Sequence, residues 1–101
     1  MISVGLVDDQ LLIREGLARL IEISGAATIA WQGDNGEVAL NELRRAPVDV
    51  LVCDIRMPGM DGITLLKRLR GEGNLQPVLV LTTFDDHQLF LNALAAGANG
   101  F

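Results

Sequence analysis

Hydrophobic positions along the chain fall into two alternating kinds of segment. Short apolar runs of strand length occur at residues 2–7, 27–31, 48–53 and 78–81. Several of these runs are rich in Val and Leu and lack polar alternation, which is typical of strands that helices cover on both faces. The pattern therefore predicts four buried strands.

Segments with helical spacing separate these runs. The first carries an apolar stripe at i, i+4, i+7 and i+8, formed by Ile13, Leu17, Leu20 and Ile21. We expect Asp9 to cap this helix and Gly25 to end it. The same spacing predicts three further helices, over residues 35–45, 63–70 and 86–96.

The last of these helices has clear signals at both ends. Asp85 or Asp86 suits its N-cap, and Gly97 suits the left-handed residue that follows a helix. Beyond it, Gly100 and Phe101 are predicted to begin a fifth strand.

Strands that alternate with helices indicate an α/β fold. Right-handed βαβ crossovers then produce a doubly wound parallel sheet with helices on both faces. Ligands of such sheets bind beyond the carboxyl ends of the strands, at the point where the strand order reverses. Functional residues are therefore expected at those ends.

Composition limits the classes of protein to which the chain can belong. A length of 101 residues fits one domain, and an excess of acidic residues, with a formal net charge of -5, argues against direct binding of nucleic acid. The single Cys53 excludes an internal disulfide, and no apolar run reaches the roughly 18 residues of a membrane span. We expect a soluble cytoplasmic domain.

Carboxylates follow two of the predicted strands. Asp8 and Asp9 come after the first strand, Asp54 after the third, and Thr82 after the fourth. Two like charges 4 Å apart repel by about 4 kcal/mol at an effective dielectric of 20, so a cation is expected among them. Carboxylates without His or Cys select a hard ion such as Mg²⁺. Asp54 is then the best placed nucleophile for a phosphoryl group, and the Thr82 hydroxyl can donate a hydrogen bond to it.

Four motifs of the chain occur together in one known family. They are Val7-Asp8-Asp9, Asp54-Ile55-Arg56-Met57-Pro58-Gly59-Met60-Asp61-Gly62, Leu81-Thr82-Thr83-Phe84-Asp85-Asp86 and Ala95-Ala96-Gly97-Ala98-Asn99-Gly100-Phe101. In this order they resemble the receiver domain of two-component response regulators. The residues at 14–17 and 82–86 are similar to the NarL/FixJ group, whose members carry a LuxR-type DNA-binding domain after the receiver.

The resemblance implies a role for each matching residue. Asp54 would accept a phosphoryl group from a sensor histidine kinase. Asp8, Asp9 and Asp54 would hold Mg²⁺ together with the backbone carbonyl of Arg56. Thr82 and Phe101 would form a switch pair. The implied fold is the flavodoxin-like, five-stranded parallel sheet of order 2-1-3-4-5, and homodimerisation on phosphorylation is expected. No membrane contact is expected.

The chain departs from the family pattern in two places. Gln10 stands where this group commonly has His, and the phosphate-pairing Lys of the family would fall just beyond Phe101. The single Lys67 is expected to point away from the site. We expect a receiver domain over residues 1–101 that is incomplete at its carboxyl end, with the output domain outside this chain. A strip of alternate residues from the first and third strands would then be uncovered.

A second class of protein uses related chemistry. Phosphohydrolases that depend on Mg²⁺ and use an aspartyl nucleophile carry a second Asp two residues after the first, and Arg56 occupies that position here. A flavin-binding or purely scaffolding domain of the same topology is a third possibility, against which the low aromatic content of 4% argues.

Overall fold

The structure, a computed structural model, describes residues 1–81 and 87–100, apart from the side chain of His87. Strands and helices alternate along these residues, as the hydrophobic pattern predicts. The elements are β1 (Ile2–Val7), α1 (Leu11–Ile23), β2 (Ala27–Gly33), α2 (Gly36–Arg45), β3 (Val50–Asp54), α3 (Gly62–Gly71), β4 (Val78–Leu81) and α4 (His87–Ala96). No helix among the described residues has the length and apolar character that crossing a membrane requires.

The four strands form one parallel sheet of order β2-β1-β3-β4. The order reverses between β1 and β3, where Val7 pairs with Cys53. Asp54 at the end of β3 pairs with Leu81 at the end of β4, so these carboxyl ends share one edge of the sheet. The part of the predicted order that these strands cover is confirmed.

The predicted fifth strand is represented by one pairing only. Gly100 forms an isolated parallel bridge with Leu79, and its carbonyl oxygen accepts a 3.0 Å hydrogen bond from the Val80 amide. Phe101 lies outside the described residues. A five-stranded order is therefore not established by these residues.

The ends of several elements differ from the prediction. β2 continues to Gly33, because Gln32 and Gly33 pair with the end of β1. β3 begins at Val50. The prediction that Asp9 caps α1 is wrong, since Gln10 is the N-cap and its side chain makes no capping hydrogen bond.

The buried face of α1 also differs from the predicted stripe. Ile13 and Leu20 are 49% and 66% exposed, and the fully buried side chain is Ala18. The residues that face the sheet are spaced at i, i+3, i+4 and i+7 and are Arg14, Leu17, Ala18 and Ile21. Arg14 takes a core-facing position because its guanidinium finds acceptors there, so the stripe is shifted around the helix.

The main core lies on the sheet face that α2, α3 and α4 cover. Its members are buried apolar side chains from both layers, among them Val7, Leu40, Leu43, Leu51, Cys53, Ile55, Leu65, Leu66, Leu69, Val78, Val80 and Ala93. On the other face, Val4 and Leu6 are buried, as is Ala18 of α1. Side chains alternate along a strand, so the described helices leave the opposite face of β3 and β4 only partly covered.

The partly covered residues of that face form an apolar strip. They are Val50 and Val52 of β3 with Leu79 and Leu81 of β4. Leu79 is 39% exposed. The prediction assigned this strip to the first and third strands. That assignment is wrong for β1, whose Val4 and Leu6 are buried.

Candidate functional site

Three carboxylates meet at the edge where the strand order reverses. Asp8 and Asp9 directly follow β1, and Asp54 ends β3. Each offers one oxygen, and these oxygens all lie within 4.8 Å of one another. Asp8 is buried, Asp54 is partly buried and Asp9 is exposed. The structure thus brings together the three acidic residues that the sequence places at adjacent strand ends.

Asp8 is held by both its backbone and its side chain. Its amide donates to the Gly33 carbonyl at 3.1 Å, and its Oδ1 accepts from the Gln10 amide at 2.9 Å. The Asp8 carbonyl accepts a 2.7 Å hydrogen bond from Nη1 of Arg14. Arg14 Nε also donates to Gln32 Oε1 at 3.2 Å, so this side chain ties α1 to the ends of β1 and β2.

The positioning role of Arg14 was missed by the sequence analysis. One feature of the sequence could have indicated this role. Arg14 stands at position i of a helical pattern whose apolar positions i+3, i+4 and i+7 are Leu17, Ala18 and Ile21. A stripe that is defined by the bulkiest apolar residues omits Arg14. The long stem of an arginine can cover apolar surface while its head reaches polar partners, which allows it a place on that face.

Asp54 sits in an environment that disfavours its charge. Burial raises the pKa of the Asp54 carboxyl above its usual value, the amide of Arg56 opposes this by donating a 3.2 Å hydrogen bond to Oδ1, and the negative charges of Asp8 and Asp9 raise the pKa further. A cation among the three carboxylates would relieve this repulsion.

The loop between β3 and α3 closes tightly under Asp54. The Ile55 amide donates to the Leu81 carbonyl at 3.2 Å, and the Gly62 amide donates to the Ile55 carbonyl at 2.9 Å. A Cβ on Gly62 would lie 2.6 Å from the Asp54 carbonyl oxygen, so a larger residue does not fit there without a shift. Arg56 lies in this loop, and its backbone is placed beside the carboxylates through its amide.

Two further residues fix the far end of the loop. Asp61 is the N-cap of α3, and its side chain accepts a hydrogen bond from the Thr64 amide at 2.8 Å. The Gly36 amide at the start of α2 donates to the Met60 carbonyl at 3.1 Å. These contacts connect the loop to two helices and hold its course past the carboxylates.

Cys53 has no part in the carboxylate cluster. Burial raises the pKa of its thiol, and the charges of Asp54 and Asp8 add to that increase. The thiol therefore stays protonated, and it donates to the Asp54 carbonyl at 3.2 Å. It is a small buried side chain, as the apolar run around it predicts.

The described part of the cluster does not include Thr82, Phe101 or Lys67. Thr82 and Phe101, like the cap candidates Asp85 and Asp86, are outside the described residues. Lys67 is exposed on α3 and lines a recess between α3 and α4.

Comparison with known proteins identifies the family. The model of the response regulator receiver domain matches residues 4–101. The transcriptional regulatory protein YdfI of Bacillus subtilis is 35% identical over 101 residues, which are all of this chain and 47% of that protein. The transcriptional regulatory protein UhpA of Escherichia coli is 36% identical over 102 residues, covering 50% of its length. The chain thus spans about half the length of these relatives.

Solved structures show the same architecture. The signal receiver domain of the putative response regulator NarL from Mycobacterium tuberculosis superposes with a TM-score of 0.92 at 34% identity, covering 99% of this chain and 81% of that one. A LuxR-family DNA-binding response regulator from Staphylococcus aureus gives a TM-score of 0.91 at 28% identity, covering 99% of this chain and 83% of its own.

Proposed function

Because the chain belongs to the response regulator receiver domain family, we propose that it is a phosphorylation-switched signalling domain whose phosphoacceptor is Asp54. The observation that carries the proposal is the meeting of Asp8, Asp9 and Asp54 oxygens within 4.8 Å at the switch point of the sheet. Asp54 alone of the three ends a strand of the main core. Its backbone is therefore fixed by the pairing of β3 with β4.

The proposed reaction is transfer of a phosphoryl group from a histidine of a sensor kinase. Asp54 Oδ1 accepts the Arg56 amide, so the other oxygen, Oδ2, is the proposed attacking atom. The new bond joins Oδ2 to phosphorus while the bond from phosphorus to the imidazole nitrogen breaks. The electron pair of that bond stays on the imidazole, which takes up a proton.

The donor atoms at this site fit Mg²⁺. Asp8, Asp9 and Asp54 offer only oxygen, the ligand that this hard cation prefers, and the backbone carbonyl of Arg56 is proposed as a further ligand. When bound there, the ion would neutralise negative charge on the transferred oxygens. Burial is the main cause of the raised pKa of Asp54, and the charges of Asp8 and Asp9 raise it further; a bound cation would offset that repulsion.

The switch and the output belong to the same proposal. Thr82 is proposed to donate a hydrogen bond to the phosphoryl group, and Phe101 to move with it. Residues 1–101 form a receiver domain in this proposal, joined in the full protein to a DNA-binding domain. The names of the relatives as transcriptional regulators, and their double length, support this. Phosphorylation is proposed to promote homodimerisation.

A phosphohydrolase of the same chemistry is less well supported. Arg56 occupies the position of the second Asp that such enzymes use as acid and base. The distinguishing property is the lifetime of the phosphoryl group, which a switch keeps for minutes and a turnover enzyme releases.

Labelling with acetyl phosphate and Mg²⁺ tests the proposal. Intact mass spectrometry is expected to show one added phosphate, and peptide mapping is expected to place it on Asp54. Asp54→Asn should take no label, whereas Asp61→Asn, which keeps a side chain able to cap α3, should label normally. Chelation of Mg²⁺ should abolish labelling. Label on Asp8 or Asp9, full labelling of Asp54→Asn, or loss of the phosphate within seconds would contradict the proposal.

A further inference from the structure

Arg70, in the last turn of α3, donates hydrogen bonds to two separate segments. Nη1 donates to the carbonyls of Asn74 and Gln76, both at 2.9 Å, in the connection from α3 to β4. Nε and Nη2 donate to the Gly97 carbonyl at 3.1 and 2.7 Å, directly after α4. Nη2 also donates to Asn99 Oδ1 at 3.1 Å. These five bonds match the number of N–H groups on a guanidinium.

The acceptors of Arg70 are all neutral. The ion pairs among the described residues involve Arg44 and Arg45, not Arg70. Its positive charge instead lies at the carboxyl ends of two helices, α3 and α4, where the helix dipole favours a cation and terminal carbonyls need donors. A planar fork with five donors suits this task better than the single ammonium group of a lysine.

Gly97 is shaped to receive this side chain. Its φ is +112°, a conformation that side chains disfavour, and an added Cβ would lie 2.8 Å from both Cγ and Nε of Arg70. Asn99 completes the arrangement with two bonds to Val78. Its side-chain Oδ1 accepts from the Val78 backbone amide at 2.9 Å, and its backbone amide donates to the Val78 carbonyl at 2.9 Å. The clamp, defined as Arg70, Gly97 and Asn99, therefore joins α3, the end of α4 and the start of β4.

Apolar packing at the carboxyl end of α4 comes from small side chains. Ala93 is buried, and Ala96 and Ala98 are partly buried against the core, while Leu91 and Leu94 are 55% and 40% exposed. Burial of a methyl group contributes far less than burial of a leucine. The hydrogen bonds of the clamp therefore add to a modest apolar contribution at this end of the helix.

The two ends of α4 lie at opposite edges of the sheet. Near its amino end, Leu89 lines a recess with Ile55, Arg56 and Asp61 of the loop that follows Asp54, at the edge of the carboxylates. Its carboxyl end returns to Val78, the first residue of β4, where the clamp lies. A helix of ten residues spans about 15 Å, which connects these edges.

We propose that Arg70 is a positioning residue that pins the carboxyl end of α4 to α3, so that a change at the carboxylate cluster moves the amino end of the helix while its carboxyl end stays in place. The pinning follows from the described contacts alone. The direction of movement rests on the proposed phosphorylation of Asp54.

Amide hydrogen exchange measured by NMR tests the pinning without phosphorylation. The reporters are the amides of Gly97, Ala98 and Asn99, bonded to the carbonyls of Leu94, Ala93 and Val78. In Arg70→Gln they are expected to exchange about tenfold faster than in the wild type, with α1 and α2 unchanged. Arg70→Lys should give a smaller increase.

The matched control is Arg68→Gln, which removes the same charge from the same turn. The described structure gives the Arg68 side chain no hydrogen bond, so this variant should exchange like the wild type. If Arg70→Gln is too unstable to measure, Asn99→Ala removes one acceptor and should speed exchange at Gly97. Equal exchange in the Arg70 and Arg68 variants, or no effect of Asn99→Ala, would overturn the pinning.

A second measurement tests the direction of movement. Mg²⁺ and beryllofluoride, which imitates the phosphoryl group, are expected to change wild-type chemical shifts at residues 88–91 and leave 97–99 unchanged. In Arg70→Gln the changes should extend to 97–99. Wild-type changes at 97–99 of equal size would overturn the proposal. Failure of acetyl phosphate to label Asp54 would instead refute the proposed function, and hydrogen exchange would still decide the role of Arg70.

Discussion

Replacement of Asp54 by Asn is expected to stabilise the fold in the absence of divalent cations. In the wild type, Asp54 Oδ1 accepts a 3.2 Å hydrogen bond from the Arg56 amide. Asn keeps the shape of the side chain and an oxygen that can accept the same bond. It removes one of three negative charges whose oxygens lie within 4.8 Å of one another. The fold therefore loses two repulsive interactions and retains its local hydrogen bond.

The size of the effect follows from those distances. At 4.8 Å and an effective dielectric of 20, the pair with buried Asp8 repels by about 3.5 kcal/mol. The pair with exposed Asp9 contributes about 0.9 kcal/mol, since water surrounds that side chain. Salt and relaxation of Asp9 reduce both values. We expect Asp54→Asn to raise the free energy of unfolding by about 1 to 2 kcal/mol, or the melting temperature by about 5 to 10 °C.

Thermal and urea denaturation at pH 7 with a chelator measure this difference. The control is Glu15→Gln, which removes one negative charge from the exposed surface of α1 and should change stability little. Mg²⁺ at a concentration of 100 times its dissociation constant should stabilise the wild type by about 2.7 kcal/mol. The same concentration should stabilise Asp54→Asn much less.

The pH dependence supplies an independent check. A carboxyl whose pKa is raised in the folded state binds its proton more tightly there, so wild-type stability should increase as pH falls from 7 toward that pKa. The increase is complete below the unfolded pKa of about 3.9. Asp54→Asn should lack this component. Equal or lower stability of Asp54→Asn at pH 7 without Mg²⁺, or an unchanged pH profile, would refute the clustered geometry.

Three other substitutions test the fold around the site. The Asp49 carboxylate accepts hydrogen bonds from the Ser3 amide at 2.8 Å and from the Ser3 hydroxyl, and these bonds lower the pKa of Asp49. Asp49→Asn should therefore destabilise the fold at pH 7 and lose less stability than the wild type on acidification below about pH 4, which urea titrations at several pH values would show. Gly62→Ala places a methyl group 2.6 Å from the Asp54 carbonyl oxygen; it should cost about 1 to 3 kcal/mol and slow acetyl phosphate labelling, and unchanged values of both would count against the tight loop. The apolar strip should bind a hydrophobic dye, and Leu79→Lys, within the strip, should weaken that fluorescence; equal fluorescence of both chains would contradict dye binding at the strip.

The order of the elements was predictable from the sequence because strand and helix periods are local properties. The bounds of β1 and β4 agree with the apolar runs that predict them. Asp8, Asp9 and Asp54 were identifiable as neighbours for a related reason. Parallel strands place their carboxyl ends at a common edge, so the position of each acid in the chain fixed where it would lie.

The environment of these residues required the tertiary structure. The rotation of α1 depends on whether Arg14 finds acceptors on β1 and β2, which lie outside the helix in sequence. The raised pKa of Asp54 depends on burial and on charges more than 40 residues away. Arg70 likewise gains its role only when chain segments up to 29 residues distant supply acceptors. Local patterns determined the order of the elements and the chemistry that they carry, whereas contacts between distant segments decided which side chains face inward and what holds them.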